Sequence, residues 1–489
     1  MKLYSAEQSQ QLDRLAIASG NFPGILLMKR AAYRAFQTLR QHWPQAKKLY
    51  ILCGTGNNGG DGLALAQYAI LEGLEVDIAL VGNSDHFKPD AQQVFSELTQ
   101  LGVISQNFSS AKLEEADLVV DALLGIGLNK DIEGKLSDII NQVSQAHKPI
   151  LALDIPTGIN ATTGQIHGCA IRANVTISFI THKLGLYTGL GADHIGKKVI
   201  DDLNLPATLF EQIPSLADFH DLAYWQNKMP KRSIAAHKGS SGTSLLIGGN
   251  HSMAGAIQLA ATAALRAGSG LVKVISQPGH LQTLTEQQPE LMTYPTKQLE
   301  MLLTQVNAIA IGPGLGEDNW AQKLFQQTLQ HSMQSPTPLV MDADALKLLA
   351  QNPQQRPTKP NWVLTPHPGE AAQMLGCSTQ EVQSDRLAAI RKLHEMYGGV
   401  IVLKGNGSLI FDGEQMELCP LGNAGMAVGG MGDVLTGMIT SYLAQGSGQG
   451  MTLMDAACLG VYQHAAIADQ VIENRSLTSL IPSDIIDGL

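Results

Sequence analysis

The chain alternates short apolar runs with amphipathic stretches, and it does so twice. Apolar residues recur at helical spacing over 6–42, broken by Gly20-Asn21-Phe22-Pro23-Gly24. Short apolar runs at 49–53, 76–81, 118–121, 150–154 and 175–180 then predict strands. The stretches between them, 62–72, 91–101 and 139–146, predict helices. The alternation lapses over 203–228, where Pro206 and Pro214 punctuate the chain, with Pro230 just beyond. It resumes with strands predicted at 245–247, 272–275, 308–311, 339–341, 362–364 and 400–403. Helices are predicted at 254–267, 319–331, 370–375 and 385–396, and a Pro- and Gln-rich surface loop at 351–361. Strands separated by helices form parallel sheets through crossovers. The expectation is therefore α/β, in two domains at 1–215 and 226–489.

Composition narrows the class. A chain of 489 residues with 44% hydrophobic content is long enough for two substantial cores. Its 49 glycines suit an enzyme with many strand-to-loop turns. The net charge is −10 with both signs interspersed, and no basic stripe invites nucleic acid. The start carries Glu7 and Asp13 and lacks the apolar core of a targeting segment. The most apolar long stretch, 254–272, contains Gln258 and Arg266, so it reads as a buried helix and strand rather than a membrane span. The five cysteines are scattered without a CxxC pair, which argues against a disulfide framework or a thiolate metal cage. A reducing cytoplasm fits, and Cys53 reads as a small apolar residue closing a strand. The expectation for assembly is a homo-oligomer, with 256–265 serving either core or interface.

Chemistry is expected beyond the carboxyl ends of parallel strands. In the first half those ends carry Gly54-Thr55-Gly56-Asn57-Asn58-Gly59-Gly60-Asp61-Gly62, then Asp121 with Gly125-Ile126-Gly127, then Asp154-Ile155-Pro156-Thr157-Gly158. One such Asp is usually a cap or turn residue, but three loaded strand ends together point to a site. Gly54, Gly56 and Gly59 satisfy the dinucleotide fingerprint, yet neither Asp77 nor Asp85 is placed to serve as its acidic partner. Asn58, Asp121 and Thr157 offer hard oxygens that suit a cation if the loops converge. Gly191-Ala192-Asp193-His194-Ile195-Gly196-Lys197-Lys198 imitates a phosphate loop but ends in Lys198 where a hydroxyl is needed, and reads as a basic surface turn.

The second half is equally loaded. Its strand ends lead to Gly312-Pro313-Gly314-Leu315-Gly316, Asp342-Ala343-Asp344, Pro366-His367-Pro368 and Lys404-Gly405-Asn406-Gly407-Ser408. The glycines, Lys404 and Ser408 make a phosphate cradle. The run 423–437 places several glycines ahead of Asp433 and then opens into a helical pattern. A helix start there offers partial positive charge to a phosphate, and Asp433 stands ready to take a proton beside it.

The motifs resemble a known family. Gly54 to Gly62 with 154–158 is similar to the epimerase domain of NAD(P)H-hydrate repair proteins, which is Rossmann-like and three-layered. His237-Lys238-Gly239-Ser240-Ser241-Gly242, Gly312 to Gly316, 342–346, 365–370 and Gly429-Gly430-Met431-Gly432-Asp433 resemble the dehydratase domain, whose fold is ribokinase-like. The resemblance covers nearly the whole chain. It implies that the first domain interconverts the R and S hydrates of NADH and NADPH. Asp154 is then the acid/base candidate with Lys130 as helper. Asn57, Asn58, Gly59, Gly60 and Asp61 would line the cofactor, with Gly125, Ile126, Gly127, Leu128, Asn129 and Asp131. Asn58, Asp121 and Thr157 would hold K⁺. The second domain would dehydrate the S hydrate with ADP and Mg²⁺, Asp433 being the base. Lys404, Gly405, Asn406, Gly407, Ser408 and Gly432 would hold the nucleotide, and Ala256, Gly314, Gly316 and His367 would face the hydrate. The competing reading is a ribokinase-type small-molecule kinase fused to a Rossmann-like nucleotide-binding module.

Overall fold

The computed structural model describes residues 1–352 and 360–489. Most of the Pro- and Gln-rich loop expected at 351–361 therefore lies outside the described residues. The chain forms two compact units, Met1–Asp218 and Phe219–Leu489.

The first unit is built on a six-stranded sheet, and every neighbouring pair in it is parallel. Its order is Glu75–Leu80, Lys48–Cys53, Leu118–Ala122, Ile150–Leu153, Val175–Phe179, Lys197–Asp201. Successive residues of one strand face opposite ways. Leu49, Ile51 and Cys53 accordingly join the core under the helices Gly24–His42, Asn57–Leu71 and Pro89–Gln100. Tyr50 and Leu52 join a second core with Ile139, Ile140 and Val143 of the helix Gly134–Gln145. Helices thus cover both faces, and the unit is the three-layer, Rossmann-like arrangement expected. The direction of strand addition reverses between Lys48–Cys53 and Leu118–Ala122, which is where such sheets open a crevice.

Three local readings change. The Gly-rich stretch after Cys53 is not all loop, because the helix Asn57–Leu71 begins inside it. The pseudo-phosphate loop is a short helical turn, Leu190–His194, leading into the edge strand Lys197–Asp201. A small sheet of Lys2–Tyr4, parallel to His182–Lys183 and antiparallel to Ala217–Asp218, was too short to read from periodicity.

The second unit repeats the logic. From its edge the strands run Leu291–Tyr294, Leu271–Ile275, Thr243–Ile247, Ala308–Ile311, Leu339–Met341, Trp362–Leu364 and Val400–Leu403, all parallel. An antiparallel hairpin, Ser408–Phe411 and Met416–Cys419, extends the sheet. The direction reverses at Thr243–Ile247 and Ala308–Ile311. The helix Met431–Gly446 is buried nearly all round from Val434 onward, as a central helix must be. It packs on Ala254–Arg266, whose Ile257, Ala260, Ala261, Ala263 and Ala264 are buried. The apolar stretch at 256–265 therefore serves the core. Contact is close because Gly437 has no side chain: a Cβ there would stand 2.0 Å from the Ala260 carbonyl oxygen. Among the described residues no helix is long and apolar enough to cross a membrane.

Candidate active sites

In the first unit a cleft of about 1030 Å³ opens at the reversal point. Glycine contacts set its floor. A Cβ on Gly54 would stand 2.0 Å from the Leu123 carbonyl oxygen, and one on Gly59 would stand 1.9 Å from that of Gly54. Only glycines let the first turn of the helix Asn57–Leu71 nest against the strand ends. Gly59 and Gly60 are buried in this packing, whereas Asn57, Asn58 and Asp61 line the cleft. Gly125, Ile126, Gly127, Leu128, Asn129, Lys130 and Asp131 line it from the loop after Leu118–Ala122, and Asp154 from the next strand end.

Beneath the lining, the three proposed cation ligands come together. Asp121 is fully buried and accepts bonds from the Thr157 amide (2.8 Å) and hydroxyl (2.7 Å). Burial pushes its carboxyl up to about 6, against the opposing bonds from Thr157 and Leu123. Asn58 Nδ2 donates to the Leu124 carbonyl at 3.1 Å, which ties the first loop to the second. Its Oδ1 is buried with no hydrogen-bond partner. A buried amide oxygen without a partner, beside a buried carboxylate and a hydroxyl, is donor chemistry that suits a hard cation.

Asp154 sits in the left-handed region at φ 66°. Its carboxylate pairs with the ammonium of Lys183. Lys130 was the expected helper, but it is exposed at the cleft rim, and the ammonium on Asp154 comes from Lys183. Asp61 and Asp13 line the same cleft. Burial pushes both carboxyls up, and the Asp154 charge adds to it. Lys183 and Asp13 carried no motif. Lys183 stands on a two-residue strand, His182–Lys183, and Asp13 on the helix Ala6–Ala18, remote in sequence from the glycine loop. Cys53 is buried and its thiol is pushed up by burial, so it is the apolar strand end expected.

In the second unit the helix Met431–Gly446 starts at Gly430, held at φ 97°. Asp433 is in its first turn. Burial, then the charges of Asp342, Asp344 and Glu370, push its carboxyl up to about 7, with Lys404 opposing. Lys404 Nζ donates to Asp342 Oδ1 at 2.8 Å and lies 3.7 Å from Glu370. A Cβ on Gly432 would lie 3.1 Å from that nitrogen, so ammonium and helix start face one another. Asp342 is buried and also accepts the hydroxyls of Thr365 (2.8 Å) and Thr436 (3.0 Å). Burial opposes its charge, but the Lys404 ammonium and the Thr365 and Thr436 hydroxyls together hold the carboxyl below its ordinary value. Lys404 is held charged by the same pairing against its own burial.

The loop after Lys404 is shaped from inside by Arg386. This buried guanidinium donates to the carbonyls of Leu403 (3.1 Å), Lys404 (3.3 Å) and Gly407 (3.3 Å). Ser408 Oγ closes the turn on the Gly405 carbonyl at 3.0 Å. Asn406 is exposed at its tip. Gly314 (φ 57°) packs under the start of Ala254–Arg266, its Cβ position 3.2 Å from that of Ala256. The Gly316 amide donates to Asp344 at 2.8 Å. His367 has a structural task as well. It caps the helix Pro368–Leu375, its Nδ1 accepting the amides of Gly369 (3.0 Å) and Glu370 (3.2 Å). With Nδ1 accepting, the ring proton lies on Nε2, which is 3.4 Å from Glu370. The ring remains 55% exposed, free to meet a ligand.

Residues 244–489 match the NAD(P)H-hydrate dehydratase family and residues 25–185 the YjeF-related protein N-terminus family. The chain is 41% identical to the bifunctional NAD(P)H-hydrate repair enzyme Nnr of Coxiella burnetii, over 100% of this chain and 98% of that protein. It is 40% identical to the Escherichia coli enzyme of the same name, over 95% of this chain and 88% of that one. Among solved structures, a ribokinase-like superfamily protein from Enterococcus faecalis is 28% identical at TM-score 0.51, covering 56% of this chain and 94% of its own. A hypothetical protein from Streptococcus mutans is 29% identical at TM-score 0.50, covering 56% and 97%. The chain belongs to the family of bifunctional NAD(P)H-hydrate repair enzymes.

Proposed function

We propose that the chain repairs hydrated NADH and NADPH with two separate sites, an epimerase within 1–215 and an ADP-dependent dehydratase within 226–489. The observation that carries the reading is Asp433: a carboxyl pushed up to about 7, at a helix start, facing an ammonium held by Asp342. A base poised near neutrality beside a phosphate cradle suits transfer of a phosphoryl group to a hydroxyl.

The dehydration is then two steps. Asp433 takes the proton of the hydrate hydroxyl, whose oxygen attacks the terminal phosphorus of ADP and releases AMP. The phosphate ester then departs as inorganic phosphate with the C–O bond broken. The neighbouring carbon gives up its proton to water, and the nicotinamide double bond is restored. Phosphorylation turns a poor leaving group into a good one. Lys404, the 405–408 turn and Gly432 hold the phosphates, while Ala256, Gly314, Gly316 and His367 face the hydrate. Among the described residues no group of His, Cys, Asp or Glu side chains forms a metal cage. Mg²⁺ would accompany the nucleotide and offset the charge of its phosphates.

In the first unit Asp154 acts on the hydroxyl-bearing carbon of the hydrate, with 57–61 and 125–131 along the cofactor. The unpartnered Asn58 oxygen, the Asp121 carboxylate and the Thr157 hydroxyl fit K⁺, which would tie the three strand ends together and so shape the cleft. The protein is read as a homo-oligomer, which light scattering tests. For the activities, the purified chain is given each epimer separately, with and without ADP. S hydrate should yield NADH only with ADP, and R hydrate should follow more slowly. Failure of the S hydrate to yield NADH with either ADP or ATP sinks the dehydratase reading.

A further inference from the structure

The first cleft holds a buried ion pair that the motifs did not mark. Lys183 lines the cleft, yet its side chain is only 2% exposed. Its ammonium donates to the Phe179 carbonyl at 2.7 Å and to Asp154 Oδ1. The same Oδ1 accepts the Phe179 amide at 3.3 Å. The Asp154 amide donates to the Ile177 carbonyl at 2.7 Å, and its backbone sits at φ 66°. One carboxylate oxygen is thus held from the protein side by a cation and an amide. The other is turned the opposite way, and Oδ2 lies 3.8 Å from where a Cβ on Gly125 would stand. Gly125 belongs to the loop that lines the cleft. The two oxygens therefore have different surroundings, and the free one faces the ligand side.

A buried ammonium needs a counter-charge, and removing one partner of such a pair leaves the other stranded. Other groups also face this point: Asp13 from the helix Ala6–Ala18, Asp61 from Asn57–Leu71, and Lys88 and Asp90 at the start of Pro89–Gln100. Among the described residues, Lys183 is the cation in contact with Asp154.

We propose that Lys183 is a positioning residue for epimerisation, fixing Oδ1 so that Oδ2 is aimed at the cleft face, where it moves the proton. The inference rests on the epimerase reading. The hydroxyl of one epimer leaves as water with a proton from Oδ2, the ring nitrogen sharing the positive charge left on the carbon. Water then adds to the opposite face of that carbon as a proton returns to Oδ2. One C–O bond forms for each that breaks, so no co-reactant is consumed.

The test uses the full chain carrying Lys183→Met or Lys183→Arg. Lys183→Met should lower kcat for epimerisation about 100-fold with KM for the hydrate nearly unchanged. Dehydration of S hydrate by the same preparation should be unaltered. Lys183→Arg keeps the charge and a donor for Oδ1, so its kcat should fall by less than about tenfold. A Lys183→Met enzyme with the wild-type rate overturns the inference. So does a folded Lys183→Arg enzyme as slow as Asp154→Ala, which decides the matter should Lys183→Met not fold. A wild type that leaves the epimers apart overturns the epimerase reading itself, and this inference with it.

Discussion

Replacing Asp433 by Asn should abolish dehydration and at the same time stabilise the second unit. In the folded chain the carboxyl is raised from 3.8 to about 7, chiefly by burial and then by the Asp342 charge. At 1.36 kcal/mol per tenfold change in proton affinity, ionising Asp433 costs the fold at most about 4 kcal/mol, and about 2 kcal/mol once solvent relaxation is allowed for. The sign follows from proton counting. Between about pH 4 and pH 7 the folded state keeps a proton that the unfolded state has released. Stability therefore falls as pH rises through that window, and the loss is complete above pH 7. Asn carries no such proton. The melting temperatures of Asp433→Asn and wild type should thus coincide near pH 4 and separate by roughly 4–8 °C at pH 8, the variant being higher. Calorimetry of the ligand-free protein at both values checks this. In parallel, kcat/KM for wild-type dehydration should drop below about pH 7, as the base becomes protonated. A melting difference that is the same at both pH values, or a variant that still dehydrates, refutes the assignment of Asp433 as a poised buried base.

Three further outcomes follow from the same geometry. Asp342→Ala removes the contact 2.8 Å from Lys404 and strands its ammonium, with Glu370 at 3.7 Å compensating only in part. It should cost about 3 kcal/mol in denaturant unfolding and raise KM for the nucleotide. Gly437→Ala would ordinarily favour a helix, but its Cβ would stand 2.0 Å from the Ala260 oxygen, so the second unit should lose about 1–3 kcal/mol. Replacing K⁺ by a large organic cation should slow epimerisation and spare dehydration, and Asn58→Ala should remove the dependence on K⁺. An epimerase rate indifferent to the cation would remove the assignment of Asn58, Asp121 and Thr157.

The residues at strand ends were legible because parallel sheets put ligands there whatever the chemistry. Gly54, Asp154, Gly312, Asp342 and Lys404 follow their strands directly, Asp121 is the penultimate residue of its own, and the fold brings each set to one end of its sheet. What stayed hidden depends on contacts between segments remote in sequence. Lys183 reaches Asp154 from a two-residue strand with no periodicity to detect. Arg386, a charged residue at a helix start, gives no sign that it is buried under the 403–407 carbonyls. The helix start at Asn57 was masked by glycines, which read as loop although here they permit close packing. His367 carried a readable signal: Glu370 stands three residues on, so the pair has the spacing of a capping box, but histidine is an uncommon cap.

The central claim is that a kinase-like site performs a dehydration. The most direct measurement is a product balance on S hydrate with ADP, following reduced nicotinamide by its near-ultraviolet absorbance and the nucleotide by phosphorus NMR. One AMP and one inorganic phosphate should appear for each NADH formed, and none of the three with Asp433→Asn. AMP formed without NADH, or NADH formed without consumption of the nucleotide, would contradict it.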